Sequence, residues 1–165
     1  LRHCHGKYIF FADQDDCWLD DKVKYVMDAF ERYDTPLVLH DMAYADAHLN
    51  PTGETLFGER HSRPGLLYNF IKNSYHGGCM AVNAPLLRAI LPVPENIGFG
   101  DMWTGLVGEL CGNPVFINKV LMLFRCHEHN LSSRHRRSLG VILFERLRLA
   151  KALYARWKVI RAEKL

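Results

Sequence analysis

The chain has 165 residues, of which 48% are hydrophobic and 24% are charged, a composition that fits one globular domain and excludes a disordered chain. It contains no run of about 18 apolar residues for a membrane-spanning helix, and its first residues lack the layout of a signal peptide, so a cytoplasmic location is expected. Five cysteines without a Cys-x-x-Cys pair are typical of reduced thiols.

The net charge of +3 is unevenly distributed along the chain. Residues 134–165 contain ten Lys or Arg and two acids, whereas residues 1–133 contain eleven Lys or Arg and sixteen acids. We therefore divide the chain into a body, residues 1–133, and a basic tail, residues 134–165. The two parts are expected to contact different partners.

In the first half of the body, apolar runs separated by turn residues predict alternating strands and helices. The run from Gly6 to Ala12 predicts a strand buried on both faces in a parallel sheet, with the last turn of a helix just before it at residues 1–4. Apolar residues at helical spacing predict a helix from Asp20 to about Tyr33. The elements predicted next are a strand over 36–46, a turn over 50–53, a short strand near Leu56 and a loop over 58–65.

The second half of the body continues the alternation of strands and helices. Asn83 followed by Pro85 is a helix-start signal and predicts a helix that ends near Leu91. The other predicted elements are a helix over 66–73, a strand over 77–83, a helix over 101–111 and strands over 115–118 and 121–126. This pattern predicts an α/β sandwich.

An acidic cluster follows the first predicted strand. In "FFADQDDCWLDDK", residues 10–22, Asp13, Asp15 and Asp16 come directly after apolar residues. Ligands of open α/β sheets bind beyond the carboxyl ends of strands, and clustered carboxylates favour a hard cation such as Mg²⁺ or Mn²⁺. The alternative is a polar turn, with Asp20 and Asp21 stabilising the start of the following helix.

Three segments, in this order, resemble the bacterial family-2 inverting glycosyltransferases, those of the rhamnosyl type in particular. They are "GKYIFFADQDDCWLDDKV" at 6–23, "HGGCMAVNAPLLRAILPVPENI" at 76–97 and "FGDMWTGLVGELCGNPVFINKVLMLFRCHEHNLS" at 99–132. The resemblance implies a partial GT-A fold, with a mixed sheet flanked by helices. Family members begin with roughly 80 further residues that bind the nucleotide, so the chain is expected to be the C-terminal portion of a catalytic domain and to lack those strands.

The resemblance also implies roles for the acidic cluster. A nucleotide-sugar donor would bind with its diphosphate at Asp13, Asp15 and Asp16. Asp15 would hold Mg²⁺ or Mn²⁺, Asp13 would face the ribose or the waters of the metal, and Asp16 would support both. The metal would stabilise the charge that grows on the departing diphosphate.

Asp101 matches the catalytic base of the family, which removes the proton from the acceptor hydroxyl. Members usually carry His or an acid just before this Asp, and this chain has Gly100. Without the family context, the alternative for Asp101 is a helix N-cap. His127 aligns with a second metal or diphosphate ligand, with a surface or structural role as the alternative.

Gly78 and Cys79 would line the groove for a saccharide or lipid-linked acceptor, although a close-packed strand explains them as well. Trp103 would stack on a sugar or fill the core, and we favour the core. The implied pathway is surface polysaccharide synthesis.

The tail predicts an amphipathic helix over 139–160 with an apolar side and a basic side. One interpretation is contact with a membrane surface, where cations meet anionic headgroups. The other is a helix whose apolar side packs on the body.

Two other classes of function remain open on the sequence. A strand that ends in Asp-x-Asp also begins the phosphohydrolases of the haloacid-dehalogenase type, but Cys17 and Trp18 follow here and no late Asp-Asp pair exists. A non-enzymatic module that binds a membrane surface would rest on the tail alone. The acidic body argues against a nucleic-acid partner.

Overall fold

The computed structural model of the chain describes residues 1–95, 97–98, 100–126 and 138–163. In this part of the chain, six strands form one sheet in the order β1, β5, β3, β6, β2, with β4 paired to β3. Among the strands of the described residues, β3 and β6 run parallel, and the other pairs are antiparallel. The strands are β1 (Tyr8–Phe10), β2 (Cys17–Trp18), β3 (Leu37–Ala45), β4 (Pro51–Thr55), β5 (Met80–Asn83) and β6 (Val115–Arg125).

Helices cover both faces of this sheet. They are α1 (Lys22–Arg32), α2 (Leu56–Arg60), α3 (Leu66–Ile71), α4 (Ala84–Ile90), α5 (Gly100–Cys111) and α6 (Leu139–Glu163), and a 3₁₀ turn spans Gly77–Cys79. Successive residues of β3 point to opposite faces. Val38 packs in the cluster under α1, whereas Leu37 and Leu39 pack in the larger cluster that contains α4 and α5. The mixed α/β architecture is the one predicted.

The first strand departs from its prediction. β1 is an antiparallel edge strand paired to β5, not a strand of a parallel sheet, and of its three residues only Ile9 is buried. An apolar run does not encode the direction of its neighbour. The aromatic residues of β1 instead contact other rings, Tyr8 at 4.5 Å from Phe30 and Phe10 at 5.9 Å from Trp18, measured between centroids.

Four further local predictions are corrected. Residues 1–4 form a turn, in which the Cys4 amide donates to the Leu1 carbonyl, and not the end of a helix. The turn predicted at 50–53 lies earlier, where the Asp46 carboxylate accepts hydrogen bonds from the amides of His48 and Asn50, both at 2.8 Å. Helix α2 occupies part of the predicted loop over 58–65. The predicted strands at 115–118 and 121–126 are one strand, β6.

The tail helix α6 packs on the body. Leu149, Leu153 and Ile160 are at most 8% exposed and join the main core cluster, and Arg156 donates to the Leu91 and Pro92 carbonyls at 2.7 Å each. These contacts support the interpretation in which the tail covers the body. The proposed boundary at residues 133 and 134 lies outside the described residues and stays a prediction.

His40 on β3 predicts a pH dependence of stability. Its ring is 1% exposed, and burial lowers its pKa to about 4 from the ordinary value of 6.5. As the pH falls, His40 is therefore protonated in the unfolded chain before it is protonated in the folded chain. The contribution of neutral His40 to the free energy of unfolding is complete above pH 6.5 and is lost toward pH 4. The loss amounts to about 3 kcal/mol.

Urea unfolding between pH 7 and pH 4 tests this. His40→Gln is expected to flatten the decline in the free energy of unfolding, whereas the exposed control His61→Asn, at a positive φ that Asn tolerates, keeps it. Equal declines in His40→Gln and the unaltered protein would contradict the expectation.

Candidate active site

The predicted donor residues lie in the turn between β1 and β2. Asp13 is exposed, and Asp15 is partly buried. Both carboxylate oxygens of Asp16 are buried and have no hydrogen-bond partner. Burial, followed by the charges of Asp13 and Asp15, raises the pKa of Asp16 to about 6, and Lys22 opposes this shift. The turn is therefore an acidic pocket with unsatisfied acceptors.

Two glycines bring this turn close to Asp101. A Cβ atom at Gly78 would lie 2.6 Å from Oδ2 of Asp16, and a Cβ at Gly77 would lie 3.0 Å from Oδ1 of Asp101. Real Cβ atoms essentially never approach another atom to 2.6 Å, and 3.0 Å is tighter than most of their contacts, so a side chain at Gly78 would displace Asp16 and one at Gly77 would crowd Asp101. The glycine pair, Gly77 and Gly78, thus lies between the aspartate turn and Asp101.

Helix α5 explains why the glycine pair lies there. Asp101, Gly105 and Glu109 are four residues apart and share one face of α5. The ring of Tyr75 packs against Gly105, where a Cβ would lie 2.0 Å away, and its hydroxyl donates to Glu109 at 2.7 Å. Tyr75 therefore holds the chain just before the 3₁₀ turn against α5, which places Gly77 beside Asp101.

Asp13 and Asp101 line one cleft of about 410 Å³, together with Gly77 and Thr104. Asp101 is exposed in the first turn of α5. A larger cavity of about 760 Å³ lies between α4 and α6, and none of the aspartates of the turn line it. The structure thus places two of the predicted site carboxylates around one cleft.

The residues predicted to contact the acceptor, Gly78, Cys79 and Trp103, are all buried. Gly78 and Cys79 are buried beside the acidic pocket, and burial raises the pKa of the Cys79 thiol. Trp103 is fully buried, and its indole donates to the Ile90 carbonyl at 3.0 Å. Trp103 is therefore a core residue, the interpretation favoured above, and offers no surface to a sugar. His127 lies outside the described residues.

Two site residues were missed by the sequence analysis. His76 packs edge-on against Phe124, with ring centroids 5.3 Å apart, and its buried Nδ1 has no partner. Burial lowers the pKa of His76, while Asp101 and Asp13 oppose the shift. Lys22 is buried between the aspartate turn and Gly78. A lysine in the first turn of a helix opposes the helix dipole, which is a signal the sequence contained.

Comparison with known proteins identifies the family. The sequence model described as glycosyl transferase family 2 matches residues 1–92, more than half of the chain. The chain belongs to glycosyl transferase family 2. The match includes the aspartate turn and the glycine pair but ends before Asp101, so the role of Asp101 stays a prediction. No curated protein is significantly similar in sequence.

Among solved structures, this family-2 chain is similar to the crystal structure of S. aureus TarS 1–349 in complex with UDP-GlcNAc, with a TM-score of 0.57 and 14% identity. The similarity covers 87% of this chain and 44% of the TarS chain, so the chain spans less than half of that structure. At this identity the likeness concerns the fold. The sheet and its flanking helices form a partial GT-A fold.

The acidic pocket fits a divalent cation in its chemistry. Carboxylate oxygens are the ligands that Mg²⁺ and Mn²⁺ prefer, and both oxygens of Asp16 are buried without a hydrogen-bond partner. Among the described residues, no three His, Cys, Asp or Glu side chains are grouped to hold a metal by themselves. A bound cation would therefore take further ligands from diphosphate oxygens, water or residues outside that part.

Proposed function

We propose that this chain transfers a sugar from a nucleotide-diphospho-sugar to a hydroxyl of a saccharide or lipid-linked acceptor, with inversion, in surface polysaccharide synthesis. The supporting observation is the glycine pair with Asp16 on one side and Asp101 on the other. Family membership and the likeness to TarS, whose structure contains UDP-GlcNAc, support the donor class.

Asp101 is the proposed general base. Its exposed carboxylate accepts the proton of the acceptor hydroxyl as that oxygen attacks the anomeric carbon. The bond from the anomeric carbon to the diphosphate oxygen breaks, and its electron pair leaves with the diphosphate. A single displacement from the face opposite the leaving group inverts the anomeric configuration.

The aspartate turn is the proposed diphosphate site. Asp15 would hold Mg²⁺ or Mn²⁺, with His127 as a further ligand, and Asp13 would face the ribose or the waters of the metal. The bound cation would stabilise the charge of the departing diphosphate. Asp16 lies beside Gly78, whose carbonyl accepts a hydrogen bond from the Lys22 ammonium at 2.7 Å. Residues 77 and 78 are glycine and therefore add no side chain between this turn and Asp101.

The test is a transfer assay with a panel of nucleotide sugars and saccharide acceptors, read by mass spectrometry and by the anomeric proton signals of donor and product. The proposal predicts a glycoside with the anomeric configuration opposite to that of the donor. A product that retains the donor configuration would contradict single displacement. Release of phosphate from an aryl phosphate, without sugar transfer, would favour the phosphohydrolase alternative.

The proposal includes a peripheral contact with an anionic membrane surface. None of the described helices is long and apolar enough to cross a bilayer. Five large apolar side chains on α3 and the first half of α6 are 60–73% exposed. We name them the α3–α6 patch: Leu67, Ile71, Leu143, Phe144 and Leu147.

Cations accompany this patch. Arg146 reaches from α6 to the Ile71 carbonyl at the end of α3, at 3.4 Å, and Arg148 lies 5.3 Å from the ring centroid of Phe144. Lys72 follows Ile71 at the end of α3, and Glu145 is the acid in this part of α6. Apolar side chains that enter the headgroup region beside cations match an anionic lipid surface.

The double variant Leu143→Asp/Leu147→Asp is expected to reduce binding to phosphatidylglycerol vesicles by at least about 100-fold, because each buried leucine contributes about 1.5 kcal/mol or more. Co-sedimentation at two salt concentrations measures this. Val23→Asp is the control, since Val23 is 49% exposed on α1. Unchanged vesicle binding in the double variant, or loss of self-association in its place, would refute the membrane contact.

A further inference from the structure

Lys22, the first residue of α1, is a buried cation next to the proposed site, with 1% of its surface exposed. Its ammonium donates to the Gly78 carbonyl at 2.7 Å. The same nitrogen lies 3.8 Å from the ring centroid of Trp18 and 3.9 Å from the Met122 sulfur. Carbonyl, aromatic ring and sulfur thus surround a charge that is shielded from solvent.

The hydrogen-bond acceptor of Lys22 is the carbonyl of Gly78, one residue of the glycine pair. Gly78 contacts Asp16, since a Cβ there would lie 2.6 Å from the carboxylate, and Gly77 contacts Asp101. A lysine that fixes the Gly78 carbonyl therefore fixes the segment that separates the aspartate turn from Asp101.

Packing alone does not account for a cation at this position. Desolvating an ammonium is strongly unfavourable, and a methionine or leucine would fill the space between Trp18 and Met122 without that penalty. The start of a helix also disfavours a positive side chain. What the cation offers is a strong, directed hydrogen bond to Gly78 and a positive charge beside Asp16.

We propose that Lys22 is a positioning residue that sets the spacing between the donor-side aspartates and Asp101 by fixing the Gly78 carbonyl. It contacts neither donor nor acceptor, because its ammonium is enclosed by protein atoms. The kinetic part of this inference rests on the proposed glycosyl transfer, whereas the structural part does not.

The test compares Lys22→Met with Lys24→Met. Lys24 lies two residues along α1, is exposed, and pairs with Asp28 at 3.0 Å. The Cys79 amide donates to the His76 carbonyl at 3.0 Å, across the glycine pair. Hydrogen exchange at this amide therefore reports on the glycine segment, residues 76–79. Lys22→Met is expected to speed this exchange at least about tenfold while the amides of β3 keep their rates, and Lys24→Met is expected to change neither.

Steady-state kinetics of the same variants provide the functional readout. Lys22→Met is expected to lower kcat by about 10- to 100-fold with KM for the donor nearly unchanged, because misplacement affects the transition state more than ground-state binding. An unchanged Cys79 exchange rate, or faster exchange throughout β3 as well, would overturn the positioning role. An unchanged kcat would overturn it too.

If Lys22→Met does not fold, Lys22→Gln takes its place. This shorter, neutral side chain forms at most a weaker hydrogen bond to the Gly78 carbonyl than the ammonium does, so faster Cys79 exchange and a lower kcat are again expected, with smaller changes than in Lys22→Met. Unchanged values of both would overturn the positioning role. Should the unaltered protein transfer no sugar, the proposed function fails, but the exchange measurement still decides whether Lys22 fixes the glycine segment. The two failures are therefore distinguishable.

Discussion

Replacing Asp101 by asparagine is expected to reduce kcat for sugar transfer by about 10²- to 10⁴-fold, the range that a general base contributes. Asparagine keeps the shape of the side chain but does not accept the proton of the acceptor hydroxyl. Because Asp101 is exposed at the start of α5, the variant is expected to fold normally and to bind the donor with unchanged affinity. Initial rates at saturating donor and acceptor measure the effect.

The matched control is Asp34→Asn, an exposed aspartate just after α1 that does not line the cleft. Its kcat is expected to equal that of the unaltered protein. If Asp101→Asn kept kcat within a factor of about two, Asp101 would not be the base, and its position would be that of a helix N-terminal acid.

Replacing Asp15 by alanine is expected to weaken metal-dependent donor binding at least about tenfold, since even the outer partners of metal ligands contribute that much. Chelation of divalent cations is expected to weaken donor binding in the unaltered protein to the same degree, and added Mn²⁺ is expected to restore it there but not in the variant. Calorimetric titration with the nucleotide sugar measures both effects.

Asp20→Ala is the control for this experiment. Asp20 is exposed and belongs to the same acidic segment, but it follows β2 and lies outside the aspartate turn. Donor binding that is insensitive to chelation, or that weakens equally in both variants, would show that the segment acts through its total charge and not through a cation at Asp15.

Local signals in the sequence predicted several elements correctly. Asn83 and Pro85 mark the start of α4, where the Asn83 side chain accepts from the Leu86 amide at 2.8 Å. The apolar spacing of α1 matches its burial of Val26 and Phe30. Such caps and periodicities act within one element, so the sequence alone contains them.

Long-range features were not predictable in this way. The antiparallel pairing of β1 with β5 depends on a segment 70 residues later, and the aromatic run of β1 is compatible with either direction. The burial of Lys22 depends on Gly78, 56 residues away. The placement of the glycine pair beside both carboxylates requires Tyr75 to pack on Gly105 of α5. Sequence resemblance named the aspartates, and the fold supplied their spacing.

The apolar residues of the tail helix differ in exposure along its length. The predicted apolar side of α6 divides in the structure, because Leu153 and Ile160 are buried on the body while Leu143 and Leu147 are 62% exposed. Periodicity gave the helix but not this division. The exposed residues of α3, which extend the apolar surface, gave no signal of their own in the sequence.

The most direct test of the central claim is a crystal structure with Mn²⁺ and a nucleoside diphosphate, in which anomalous scattering locates the metal. The account predicts Mn²⁺ about 2 Å from an Asp15 carboxylate oxygen, bridging to the diphosphate, with Asp101 facing the same cleft across Gly77 and Gly78. A diphosphate bound in the cavity between α4 and α6, with no metal at the aspartate turn, would contradict it.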